Sequence, residues 1–177
     1  RTDDRWFSGR ACELGDPASC RMLAGSVAPL GEDVDELLAW ACDAGDEPAC
    51  AERWLGEHGE LPLRQMGYLR PDIISVRVAD ARADLHACLV RALSDEPEIP
   101  RGRVEVGLRV DDSGYVNLVH VGQLLARRGG SSVPQDTPPA LAECLGGVLA
   151  SIRVPEPEGG PVSWVGGVEL AHTADVQ

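Results

Sequence analysis

Lysine is absent from this 177-residue chain, so all 16 cationic side chains are arginine. That excludes chemistries built on a lysine amine: a Ser-x-x-Lys nucleophile pair or the phosphate-binding lysine of a P-loop. Gly129-Gly130 is accordingly no phosphate loop. Positive charge is scarce overall, with 29 acidic residues and a formal net charge of −13. Such a chain is repelled by a nucleic-acid backbone or an anionic membrane surface, so neither is expected as a partner. No run of apolar residues is long enough to make a membrane-spanning helix. Aromatics are few at 4%, and the 4 histidines, His58, His86, His120 and His172, have no metal-ligand spacing. A catalytic nucleophile needs a positioned base, and none is visible. The expectation is a non-enzymatic chain without catalytic residues, metal or cofactor. The chain opens at Arg1 with no signal-peptide core, which reads as a segment processed or excised from a longer polypeptide and able to be tethered through a region ahead of Arg1.

Cysteine, in contrast, is plentiful: 6 residues in 2 matched pairs and 2 singletons. Cys12 and Cys20 have seven residues between them, as do Cys42 and Cys50, and each member of the second pair lies thirty residues beyond its counterpart. An even count with repeated spacing points to three disulfides and an oxidising compartment. A four-cysteine zinc site is the rival, but structural zinc takes about two to four residues between paired ligands.

Alignment on the cysteines sets ACELGDPASC at 11–20 against ACDAGDEPAC at 41–50. A fixed period marks a repeat. In each unit Gly15 or Gly45 suits the left-handed end of one helix. Asp16 or Asp46 can cap the next helix, with Pro17 or Pro48 in its first turn. The second cysteine then faces back toward the first, and a disulfide would lock the helical hairpin by roughly 2.6 kcal/mol in the loop-entropy account. Leu23, Val27 and Leu30 continue the first hairpin. Asp33 with Glu36 forms a capping box, and Leu37, Leu38 and Trp40 an inner face. Trp6, Phe7, Trp54 and Leu55 are further expected inter-helix packing residues.

Residues 57–71 break the helical period with Gly59, Pro62, Gly67 and Pro71. Beyond them a single helix fits to about residue 94, capped by Asp72, with Ile74, Val78, Ala81, Leu85, Cys88, Leu89 and Leu93 on one stripe and His86 off it. Gly102 to Val121 then reads as a hairpin. Val104, Val106, Leu108 and Val110 alternate with Glu105, Gly107 and Arg109, and Asp111-Asp112-Ser113-Gly114 supplies the turn. Val116, Val119 and Val121 share a face only if one residue is inserted, which predicts a bulge near Asn117–Leu118. A polar loop, mobile by composition, follows from Arg127 to Asp136. Thr137 caps a second helix with inner residues Leu141, Cys144, Leu145, Val148, Leu149 and Ile152. A last strand runs from Pro161 to Leu170, with a bend or bulge at Gly166-Gly167. Cys88 and Cys144 lie on the two helical stripes, where they either bridge or remain buried free thiols. A bridge would contribute roughly 4.2 kcal/mol.

The predicted fold class is α+β: a short disulfide-stapled α-helical repeat pair at 1–56, a linker at 57–71, an αββαβ domain at 72–170, and a flexible tail at 171–177. The domain is expected to have a three-stranded antiparallel sheet with two helices on one face. The doubled ACxxGD…AC pattern resembles the Sel-one-like repeats, cysteine-rich relatives of the tetratricopeptide repeat in secreted bacterial proteins, whose longer arrays bind proteins on a concave face. The phrases HACLVRALSDEP, RGRVEVGLRVDDSGYVNLVHV and LAECLGGVLASIRVPEPEGG, with the closing strand, resemble the TonB carboxy-terminal domain group in its AgmX/PglI envelope-protein variant. That second resemblance implies recognition by strand addition at the last strand, along Val162, Ser163, Trp164, Val165 and Val168. The expected function is therefore a periplasmic or cell-surface protein–protein adaptor with a protein partner. The alternatives are an architectural capping or oligomer-forming domain of a larger envelope protein and, remotely, an enzyme of cell-wall or β-lactam chemistry.

Overall fold

Two glycines end two helices in the same way. Gly15 and Gly45 both take φ +92°, which admits no side chain comfortably. In each hairpin the glycine amide bonds the cysteine carbonyl three residues back at 2.9 Å, and the following aspartate amide bonds the alanine carbonyl five back at 3.0 Å. This double closure satisfies the orphan carbonyls of the helix end and aims the next helix back along the first. The computed structural model describes residues 2–27, 34–59, 67–95, 99, 102–128 and 131–170.

The first four helices are α1 (Thr2–Glu13), α2 (Pro17–Val27), α3 (Val34–Asp43) and α4 (Glu47–His58). Disulfides Cys12–Cys20 and Cys42–Cys50 close the two hairpins. Cys20, Ala24, Leu38, Ala41 and Ala49 form a small core of their own. The two N-caps diverge. The Asp16 carboxylate accepts the Ser19 amide at 3.1 Å, whereas Asp46 makes no side-chain cap and accepts from Arg21 Nε of the preceding hairpin at 3.2 Å. Phe7 and Trp40, expected as packing residues, are 64% and 43% exposed. On α3 it is Leu38 and Ala41 that face inward, fully buried, and Trp40 is left on the flank. Leu30 and Asp33 lie outside the described residues, as does the side chain of Trp6.

The remaining elements are α5 (Pro71–Asp80), α6 (Arg82–Asp95), β1 (Gly102–Val110), β2 (Val116–Arg128), β3 (Ser131–Gln135), α7 (Pro139–Ala150) and β4 (Val162–Leu170). Among the described residues this gives seven helices and one four-stranded antiparallel sheet of order β3-β2-β1-β4. The expected three-stranded sheet is corrected. The segment read as a polar loop supplies β3, because β2 runs on past Val121 and its extension pairs with Ser131–Gln135. The expected single helix is also corrected: it breaks at Ala81 into α5 and α6. Asp72 does not cap α5; it lies in the first turn after Pro71 and pairs with Arg70 at 2.6 Å.

Register in the hairpin shifts where an inserted residue was expected: Arg109 faces Leu118 and Val110 faces Val116, which leaves Asn117 as the extra residue. A second shift sets Glu105 against Gly122 and Gln123. Thr137 does not cap α7; its hydroxyl donates to the Gly122 carbonyl at 2.7 Å and pins the second bulge. Gly114 takes φ +80° in the turn, and a Cβ there would fall 2.2 Å from the Val154 carbonyl oxygen. The register of β1 with β4 is unbroken through Gly166 and Gly167, so the bulge expected there is absent.

The main core lies between one sheet face and α5, α6 and α7. Val104, Val106, Leu108 and Val110 meet Ile74, Leu85, Leu89, Leu141, Leu145 and Leu149, all at most 4% exposed. Burial of each such side chain stabilises by about 1.5–3 kcal/mol. Cys88 and Cys144 form the third disulfide across α6 and α7. The opposite sheet face is covered too. α4 lies on β1, β2 and β4, with Leu55 and Ala51 seated over Gly107. The result is three layers, α4, sheet, and α5–α7.

Candidate functional site

The sheet has two edges, and the chain treats them differently. β3 is five residues long and carries Pro134 opposite Leu125; a short strand with a proline is a blunted edge. β4 is nine residues long, contains no proline, and among the described residues is paired through its length on the β1 side alone. Its outer edge borders a groove of about 1100 Å³ whose other wall is the α5–α6 break. Val78, Leu85 and Leu89 supply the apolar part of that wall, with Asp80, Arg82 and His86 on the rim.

Alternation along β4 sorts the residues singled out in the sequence. Val162, Trp164 and Val168 lie on the side of the main core. Val162 and Val168 are buried there, 4% and 6% exposed. Trp164 is half-buried and lines the groove. Its ring lies over Gly166, where a Cβ would come within 2.2 Å of it. Ser163 and Val165 fall on the α4 side by alternation, and Ser163 Oγ is buried without a hydrogen-bond partner. The five positions therefore split between two faces, and the groove gathers Trp164, Val165 and Val168 of them. His86, expected in solvent, is half-buried on the groove rim.

The second glycine of the pair accommodates a cation. Arg103 of β1 reaches over β4, and a Cβ on Gly167 would lie 1.8 Å from its Nε and 2.7 Å from Nη2. Arg103 pairs through Nε with Glu105 Oε1 at 2.9 Å. Glu105 is 5% exposed and its Oε2 has no partner. Burial pushes its carboxyl above the ordinary range, Arg103 opposes that, and Glu47 and Asp46 add to it. Arg103 and Glu105 were absent from the sequence-level site, because their meeting over Gly167 depends on the pairing of β1 with β4. Period-2 alternation could have placed the two on one face, though not over that glycine.

Two further polar contacts fasten α4 to the sheet. Arg109, 2% exposed, donates through Nη1 to the Leu55 carbonyl at 3.3 Å. Trp54 stacks on His58 at 4.2 Å and tilts against His120 at 4.9 Å. Burial, and then the neighbouring His58, hold His120 below its ordinary pKa. Among the described residues no group of three or more His, Cys, Asp or Glu side chains could hold a metal ion. All six cysteines are paired, which fits an oxidising, extracytoplasmic setting. No helix among the described residues is long and apolar enough to cross a membrane. Comparison with protein-family models, curated proteins and solved structures gives no match.

Proposed function

We propose that this chain is a non-enzymatic protein–protein interaction module of the periplasm or cell surface, one that takes an extended segment of a partner onto the outer edge of β4. The observation that carries this reading is the asymmetry of the edges: β3 is short and guarded by Pro134, while β4 is long, unbulged and flanked by a groove. Main-chain groups along an open strand give affinity, and side chains of alternate residues give selectivity. The resemblance of 72–170 to the TonB group supports the same mode. The architectural alternative draws on the seating of α4 across β1, β2 and β4, a joint that suits a capping domain of a larger protein.

The test is titration of the oxidised full chain with extended peptides while backbone amide resonances are followed. Strand addition moves and protects the amides of Val162–Leu170. Gly166→Ala, which pushes the Trp164 ring out of place, should weaken the binding. Unmoved β4 amides with every peptide tried, together with self-association at rising concentration, would favour the architectural role.

A further inference from the structure

The geometry points to an acidic specificity at this edge: Arg103, laid across Gly167, reads a carboxylate on the strand that pairs with β4. This rests on the strand-addition reading above and names the class of partner, an extended segment that alternates apolar and acidic residues. In an antiparallel pair, residues directly opposite each other project from the same face with Cβ atoms about 5 Å apart. The incoming residue opposite Gly167 would therefore face the space that a Gly167 side chain would fill. That space holds the Arg103 guanidinium. The cation is 46% exposed, and its Nε is held from behind by the buried Glu105 at 2.9 Å. A guanidinium fixed at one nitrogen and presented at a strand edge suits a carboxylate, its planar donors matching the two oxygens.

The two acids that line the groove are already paired. Asp80 is paired with Arg77 at 3.3 Å and Glu169 with Arg127 at 3.3 Å. Arg82, on the facing wall, has no ion pair among the described residues. In a chain of net charge −13, a groove whose acids are matched and one of whose arginines has no ion pair among the described residues is a local exception. On the face toward α5 and α6 the incoming residues instead meet Trp164 and Val168, which ask for apolar side chains. The two faces of the added strand thus receive different instructions, acidic toward α4 and apolar toward α5–α6.

The experiment uses the oxidised full chain and three peptides that alternate valine with glutamate, glutamine or lysine, with affinity measured at low and high salt. The glutamate peptide should bind roughly fivefold more tightly than the glutamine one, and the lysine peptide more weakly than both, a spread that salt compresses. Arg103→Gln should erase the preference for glutamate over glutamine. Gly167→Ala, which keeps the charge but displaces it, should do the same if Arg103→Gln proves too unstable to assay. Equal binding of all three peptides to the native chain overturns the acidic specificity and leaves strand addition standing. Absence of any β4 amide shift with all three overturns strand addition itself.

Discussion

Arg109 on β1 donates to the carbonyl oxygen of Leu55, near the end of α4, so a strand of the second segment ties down a helix of the first. The contact is buried, and it sits where a helix exposes its unsatisfied carbonyls and the negative end of its dipole. Gly59 belongs to the same joint. Its amide also bonds the Leu55 carbonyl, at 3.0 Å, and a Cβ on it would fall 1.6 Å from Arg109 Nη1.

Substitution here should therefore loosen α4 from the sheet. Arg109→Met is expected to cost about 2 kcal/mol, the scale of a charge-assisted hydrogen bond lost in a buried place. Gly59→Ala should cost a comparable amount by forcing the guanidinium aside. Urea unfolding followed by circular dichroism measures both. Because the two changes act on one contact, the double variant should lose less than the sum; full additivity would mean that the two residues act separately.

Acid and base should pull on the α4 face in opposite directions. Glu105 has its folded pKa raised above the ordinary 4.5, first by burial. Its contribution to stability is fully present below that ordinary value and is lost as pH rises through the raised one. His120 has its folded pKa lowered from the ordinary 6.5. Its neutral-state contribution is present above 6.5 and is lost as pH falls toward the folded value. Stability measured against pH should accordingly lose its acid-side gain in Glu105→Gln and its near-neutral loss in His120→Gln. A Glu105→Gln profile superimposable on the native one would contradict the buried-carboxylate account.

The three disulfides should differ in worth. Cys88–Cys144 spans 56 positions and each of the others spans 8. The loop-entropy account gives roughly 4.2 kcal/mol for the long loop and 2.6 for each short one. Paired Cys→Ala replacement, one bridge at a time, with denaturant midpoints compared, should rank Cys88–Cys144 as the most costly to lose. Thiol titration of the denatured, unreduced chain should find no free thiol.

Much of this architecture is written locally. The doubled ACxxGD…AC phrase carries its own helix end, turn and cysteine spacing, so the two hairpins and their bridges followed from the spacing alone. The valine alternation of 104–110 and the misfit of Val116 with Val119 fixed the hairpin and its bulge for the same reason: both are properties of neighbours along the chain. The stripes of α5–α6 and α7 put Cys88 and Cys144 on facing helices. What failed were features with no local signature. The break at Ala81 leaves the apolar stripe intact, so periodicity passes over it. Ser131–Gln135 is polar and carries a proline, and it becomes a strand only because β2 runs on to offer it an edge.

The candidate site depended still more on the fold. The amino-acid order marked β4 and Trp164, since a closing strand and its tryptophan can be read directly. It read the Gly166-Gly167 pair as a bend or bulge, whereas the register holds no bulge there and each glycine makes room for a side chain: Trp164 over the first and Arg103 over the second. Sequence determined the apolar stripes of the strands and helices and the Cys12–Cys20 and Cys42–Cys50 pairs, because alternation and short loops are local constraints, but it misjudged Phe7, Trp40 and His86. Only the tertiary structure decided that α4 covers the second sheet face, that among the described residues one edge strand is short and proline-bearing and the other is long and unpaired on its outer side, and that a cation from β1 lies over β4. Those outcomes are set by strand order and interlayer packing between residues far apart in the chain.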